Sequence, residues 1–149
     1  MLAQDLKPKT FEETHKPVNQ KAGVLFQKIK TPSNGKLTIE TSAGADYLVQ
    51  LLKAGTKKAI VGIYLKGGKT LTVDVPLGNY DLVYAAGKIW YGLGDRFGPP
   101  PMTSYSKADK PFEFKADSEG MTSHWAVELI LQENGNLGTT KINASQFGE

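Results

Sequence analysis

Residues 39–85 read IETSAGADYLVQLLKAGTKKAIVGIYLKGGKTLTVDVPLGNYDLVYA, and apolar residues alternate along them in short runs. Each run ends at a turn that contains glycine or proline. This period of two is typical of an antiparallel sheet with one buried face. The fold class that it predicts is all-β.

The alternation predicts strands at residues 36–41, 46–53, 59–65, 69–75, 80–85 and 88–91, and, after a proline run, at residues 111–116, 123–132 and 139–142. The last two should form a hairpin through the Asn134-Gly135 turn. Residues 46–53 and 59–65 are apolar at nearly every position, which favours a place between two layers. We therefore expect one antiparallel β-sandwich, prealbumin-like or immunoglobulin-like, or a partly open barrel, over residues 36–149.

Residues 1–35 are rich in Lys, Gln, Thr and Pro, and we expect them to form a flexible N-terminal arm. Thr10 and Glu13 have capping-box spacing, and Pro17 would stop a helix there after about two turns. Two interpretations stay open. The arm is a tether with a fraying helical turn, or its residues 23–30 form a strand along a sheet edge of this molecule or of a neighbour.

The positive charge of the chain is concentrated in the arm. The formal net charge is +3; residues 1–36 hold seven lysines and three acidic residues, whereas the remainder holds 11 basic and 12 acidic residues. Arg96 is the only arginine. Because arginine forks usually read base edges and phosphates, the composition argues against a nucleic-acid partner.

The residue types that most often carry catalysis or bind metals are scarce. The sequence has no cysteine, which excludes disulfides, thiolate metal sites and cysteine nucleophiles. His15 and His124 are its only histidines, and no nucleophile-elbow or paired-histidine motif accompanies them. We predict no catalytic residue, no metal ligand and no cofactor.

Paired carboxylates are the catalytic alternative, since a glycosidase-like site needs two acids about 5–10 Å apart. Asp74 with Asp81, and Glu113 with Glu128, are the candidate pairs. Exposed acids are also ordinary on the solvated face of a sheet. An enzyme that acts on glycans through exposed carboxylates therefore stays an alternative function.

The sequence also bears on the membrane and the compartment. No apolar run approaches the roughly 20 residues that span a bilayer, so we expect no membrane insertion of this chain. Residues 2–5, LAQD, resemble the remnant left after cleavage of an export signal. The expected location is extracytoplasmic: periplasmic, envelope-anchored or secreted.

One connection concentrates residues that suit recognition. Between residues 90 and 108 lie four large aromatic side chains and the only arginine, and we take as candidate binding residues Trp90, Tyr91, Arg96, Phe97 and Tyr105. Connections of this length are usually functional or packed on themselves. Aromatic residues with a polar tip often anchor protein partners and sugars. The opposing interpretation is a structural plug at the open end of the sandwich.

Short motifs between residues 35 and 147 resemble an uncharacterised bacterial family of small exported or membrane-anchored β-domains. These motifs are Thr41–Val49, Gly67-Gly68, Val75–Tyr80, Trp90-Tyr91-Gly92, Phe97-Gly98-Pro99 and Tyr105–Ala108. The unit VPLGNY at residues 75–80 is also similar to the Pro-x-Gly-x-Tyr hairpin of prealbumin-like and PEGA-type sandwiches. The similarity to prealbumin-like and PEGA-type sandwiches implies an adhesion, stalk or accessory role, whereas the resemblance to the bacterial family brings no assigned activity with it.

These observations together predict a non-catalytic extracytoplasmic binding or assembly module. Its partner would be a protein or a glycan, contacted through residues 90–108. One alternative is a structural subunit that forms oligomers through residues 20–30 by exchange of an N-terminal strand. A small inhibitor or immunity-type protein is a further alternative that the residues do not separate from generic binding.

Overall fold

The structure, a computed structural model, describes residues 9–130 and 139–148. Its elements, in chain order, are α1 (Phe11–Thr14), β1 (Gly23–Gln27), β2 (Asn34–Thr41), β3 (Asp46–Lys53), β4 (Ala59–Leu65), β5 (Thr70–Pro76), β6 (Gly78–Gly87), β7 (Ser104–Ala108), β8 (Phe112–Phe114), β9 (His124–Leu129), β10 (Thr139–Ile142) and a 3₁₀ turn at Ala144–Gln146. The all-β class predicted from the alternation is confirmed.

The strands form two sheets that do not close into a barrel, as expected for a sandwich. The larger sheet has the order β1-β4-β3-β6-β7-β10, with β8 also paired to β6, and the smaller has the order β5-β2-β9. Pairing is antiparallel except between β2 and β9, which run parallel. This parallel pair departs from the wholly antiparallel sandwich that the sequence predicts.

The main core lies between the two sheets. From the smaller sheet, Leu37, Ile39 and Val75 point inward and are fully buried. Along β5 the inward residues alternate with exposed Thr72 and Asp74, so the outer face of this sheet is solvated as predicted.

The larger sheet is buried on both faces. Leu48, Tyr64 and Val83 point away from the smaller sheet and belong to a second apolar cluster. The cover over them is not a sheet but irregular chain, including a loop over residues 88–103 and residues 144–148. We call this loop the crossover loop and the covered side of the larger sheet the capped face. The two-sided burial predicted for β3 and β4 is thus confirmed.

Three features of the structure differ from the prediction. Residues 88–91 do not form a strand, because the chain leaves β6 at Gly87 and turns into the crossover loop. Residues 104–108 form β7, which the sequence analysis missed. β10 pairs with β7 in the larger sheet, whereas β9 belongs to the smaller one, so the predicted hairpin of these two strands is wrong. The Asn134-Gly135 turn lies outside the described residues.

The arm contributes to the sandwich. β1 pairs antiparallel with β4 of the same chain and forms one edge of the larger sheet. The ring of Phe26 covers Gly62 so closely that a β-carbon on that glycine would overlap it. The capping box of Thr10 and Glu13 is also confirmed at the start of α1. Of the two interpretations of residues 23–30, the structure shows the edge strand, within this molecule.

The turn between β5 and β6 is fixed by an inward tyrosine. Tyr80 is 2% exposed, and its hydroxyl donates a 2.8 Å hydrogen bond to the carbonyl oxygen of Pro76. Gly78 in this turn has φ of 153°, a conformation that L side chains rarely adopt. The VPLGNY unit therefore forms a tight turn before a buried tyrosine.

Candidate functional site

The crossover loop packs directly on the backbone of β6. A β-carbon on Gly87 would overlap the side chain of Phe97, so glycine is required for this close approach. Trp90 lies between Phe97 and Tyr64, with ring centroids 5.1 Å and 4.9 Å away. These rings fill the space above the sheet and hold the inner side of the loop.

Burial decides the role of most of the predicted binding residues. The structure brings all five to the capped face, four in the crossover loop and Tyr105 on β7, but Trp90 and Phe97 are only 4% and 1% exposed, and Tyr91 and Tyr105 are each 7% exposed. The expectation that these aromatic side chains face a partner is therefore not met. They serve as the plug that was the opposing interpretation, because the larger sheet has an apolar outer face that needs cover. Arg96 is the one candidate that stays partly exposed.

The tip of the crossover loop is closed by short backbone hydrogen bonds. The N–H of Tyr91 donates to the carbonyl oxygen of Arg96, and the N–H of Arg96 donates to that of Gly92, both at 2.7 Å. Arg96 has φ of 56° and is the only non-glycine residue of the described chain with positive φ. Such a conformation costs about 1–2 kcal/mol for an L side chain. Strain of this kind is concentrated at functional sites.

The Arg96 side chain rests on two aromatic rings. Its guanidinium carbon lies 4.5 Å from the ring centroid of Phe147 and 5.6 Å from that of Tyr105, within the range of cation–π interactions. Its Nη1 donates a hydrogen bond of 3.1 Å to the Tyr105 hydroxyl. Among the described residues, no carboxylate lies within 4 Å of the guanidinium. The positive charge is therefore held in place without an acidic partner from this part of the chain.

The N-terminal arm docks on the same loop. The Phe11 ring makes an edge-to-face contact with Tyr91 at 4.7 Å between centroids and stacks on His15 at 3.8 Å. The N–H of Val18 donates a 2.8 Å hydrogen bond to the carbonyl oxygen of Trp90. The sequence does not indicate that Phe11 and Phe147 belong to this site, because both are far from residues 90–108 along the chain and neither lies in an alternating pattern.

A pocket of about 290 Å³ opens beside Arg96. Phe11, Asp95, Pro99, Pro100 and Tyr105 line it together with Arg96, and Gly94 and Gly98 complete it. Asp95 is exposed, and its carboxylate has no hydrogen-bond donor within the described residues. The pocket therefore combines a fixed cation, a carboxylate acceptor and aromatic surface.

A larger cavity of about 690 Å³ lies near the start of the crossover loop, where Ala86, Phe97 and Met102 contribute apolar surface. Its two basic residues, Lys88 and Lys141, are exposed. An exposed lysine on a flexible stem fixes a ligand less well than a stacked guanidinium. We therefore take the Arg96 pocket as the candidate site.

The candidate catalytic groups do not come together. Asp74 lies on the outer face of the smaller sheet, where Lys36 pairs with it at 2.7 Å, whereas Asp81 lies on the capped face of the larger sheet. Glu128 and Glu113 are likewise on opposite sides of the sandwich, as strand alternation places them. Neither predicted pair can therefore form a two-carboxylate site.

The histidines are also separated. His15 packs with Phe11 over the capped face, and His124 Nε2 lies 2.9 Å from Thr38 Oγ1 on the outer face of the smaller sheet. Within residues 9–130 and 139–148, no three His, Cys, Asp or Glu side chains could hold a metal ion together.

Comparison with protein-family models, with curated proteins and with solved structures found no match to the chain. In the described ranges, no helix has the length and apolar character needed to cross a bilayer.

Proposed function

We propose that the protein is a non-catalytic extracytoplasmic binding module that contacts a protein or glycan partner through the outer surface of the crossover loop. The observation that carries this proposal is the clamped conformation of the loop. Its inner side is fixed by Trp90 and Phe97, and its tip is closed by the two hydrogen bonds between residues 91–92 and 96. A loop ordered before binding loses little conformational entropy when a partner arrives.

The residues on the outside of this loop suit a contact surface. Leu93 is 48% exposed at the tip, and Val18 of the docked arm is 46% exposed beside it. The position of a β-carbon on Gly92 would lie 3.9 Å from a Val18 methyl group, which places arm and tip next to each other. A small apolar area on the same loop as a charged arginine is a usual composition for a binding surface.

The extracytoplasmic part of the proposal rests on the resemblance to small exported β-domains. Fractionation of the native host with an antibody to this chain tests it directly. We expect the protein in the envelope or in the medium, and recovery only with the cytosol would contradict this location.

Paired surface variants test the contact surface. Leu93→Asp places a charge at the loop tip, and Met121→Asp makes the same kind of change at a side chain that is 68% exposed outside the crossover loop. Both sites are exposed, so each variant should keep the thermal midpoint of the parent. In pull-downs from the host envelope fraction, a partner retained by the parent and by Met121→Asp should be lost with Leu93→Asp. Equal recovery with all three proteins would refute the proposed surface.

A further inference from the structure

We propose that the pocket beside Arg96 binds an acidic glycan by holding one carboxylate-bearing sugar ring of the uronate type. This inference rests on the proposed function and adds the chemical class of the ligand.

Arg96 offers free donors in a fixed direction. A guanidinium has five N–H donors, and within the described residues the Arg96 side chain makes only one hydrogen bond, to the Tyr105 hydroxyl. The contact with the Phe147 ring at 4.5 Å restrains the guanidinium before any ligand arrives. A carboxylate matches the planar fork, because it accepts two parallel hydrogen bonds.

The backbone position supports a role for this side chain in recognition. Arg96 has the positive φ at which glycine is favoured, and the loop uses glycine at positive φ nearby, at Gly92 and Gly98. A purely structural turn would be satisfied by glycine at residue 96 as well. The backbone conformation therefore does not explain why residue 96 is an arginine.

The neighbouring groups favour a sugar over a peptide carboxylate. Asp95 also lines the pocket, and its negative charge would repel a ligand that offers only a carboxylate. A uronate carries hydroxyl groups that can donate to Asp95 while its carboxylate binds Arg96. Phe11, which is only half-buried, supplies aromatic surface for the apolar C–H groups of the ring. The volume of about 290 Å³ is at the lower end for small-molecule pockets and suits a single ring.

Titration of the ¹⁵N-labelled protein with oligosaccharides tests the inference. The probes are tetragalacturonate, the same oligosaccharide with every carboxyl methyl-esterified, an oligomannuronate and a hyaluronan tetrasaccharide. We expect saturable shifts of the amides of residues 94–98 and 105 with at least one acidic probe. The methyl ester removes the charge and keeps the ring, so where tetragalacturonate binds, its ester should bind about tenfold more weakly or worse.

Three variants separate the guanidinium from other effects. Arg96→Gly should weaken binding of the acidic probe by about tenfold or more. Arg96→Lys keeps the charge but loses the fork, and an intermediate loss is expected. Lys110→Gly removes one exposed positive charge away from the pocket and should bind as the parent does. Thermal melting of each variant verifies that it is folded.

Absence of saturable shifts with all acidic probes would overturn the inference. Equal binding of ester and acid, or undiminished binding by folded Arg96→Gly and Arg96→Lys, would do the same. The proposed function is judged separately by the Leu93→Asp pull-down. If Leu93→Asp loses a partner in the pull-down but the titration shows no preference for uronates, the crossover loop binds a ligand of another class.

Discussion

Trp90 shows how one residue serves packing rather than recognition. It is 4% exposed, and its indole N–H finds no acceptor among the residues that the structure describes. A buried donor without a partner costs about 1–3 kcal/mol. The ring contacts with Tyr64 and Phe97 must outweigh this cost, so the volume of the side chain is what the site requires.

Substitution of Trp90 tests this interpretation. Trp90→Ala should lower the free energy of unfolding by about 3–5 kcal/mol, because it leaves a cavity over the capped face. Trp90→Phe keeps a ring and breaks no hydrogen bond, so it should cost less than half as much. Urea unfolding followed by far-ultraviolet circular dichroism measures both. Equal losses would contradict this interpretation, because they would mean that a ring in the space left by Trp90 restores no stability.

At the same scale, sequence alone identifies part of the candidate site but not the exposure of its residues. The cluster from Trp90 to Tyr105 is recognisable because aromatic residues and the only arginine occur together. Which side of the loop each residue occupies depends on distant residues, since Phe147 lies under Arg96 and Phe11 lies against Tyr91. No local pattern encodes these contacts.

At the scale of the strands, local sequence pattern marks where a strand begins and ends, whereas its pairing partner depends on residues far away in the chain. The bounds of β3 and β4 match the predicted ones because apolar runs and glycine-containing turns mark both ends. β7 has the sequence SYSKA, in which few side chains are apolar, so its pairing with β6 and β10 cannot be read from alternation. The predicted β9–β10 hairpin failed for a related reason: an Asn-Gly turn is a local signal, whereas β10 pairs with β7.

The edge strand β1 gives a prediction at the scale of one element. Gly62→Ala introduces a β-carbon that overlaps the Phe26 ring, so β1 should detach from β4 while the rest of the larger sheet persists. Hydrogen exchange should show lost protection for the amides of residues 23–27 and little change in β3 and β6.

Gly94→Ala is the matched control, because its β-carbon would meet no atom within 4 Å and its φ is not positive. This variant should leave the exchange of β1 unchanged. Retained protection of β1 in Gly62→Ala would show that Phe26 can move aside without cost.

The whole molecule consists of two sheets and a third layer of irregular chain. This third layer unites α1, the crossover loop and the residues near Phe147, which are far apart in sequence. A third layer is needed because β3 and β4 carry apolar residues on both faces, and each face requires a cover. Its construction could not be predicted, because irregular segments have no period. The layer covers the capped face of the larger sheet and leaves the only arginine partly exposed at its surface.

Unfolding at alkaline pH tests whether solvent is excluded from both faces of the larger sheet. Burial raises the pKa of Tyr80 in the inter-sheet core, and burial followed by a hydrogen bond to Asp46 raises the pKa of Tyr64 on the capped face. In the unfolded chain both would ionise near their ordinary value of about 10. Because their folded pKa values are higher, the stability that they contribute is present below about pH 10 and is lost as the pH rises further.

Tyr80→Phe isolates one of these contributions. The variant loses the hydrogen bond to the Pro76 carbonyl oxygen, which lowers its unfolding free energy by about 1 kcal/mol at neutral pH. It also lacks one titrating phenol, so its stability should fall less steeply than that of the parent between pH 9 and pH 11 (roughly one unit on either side of the tyrosine value). Urea unfolding across this range measures both slopes. Parallel curves would mean that the Tyr80 phenol ionises as readily in the folded protein as in the unfolded chain, and that the core opens to solvent.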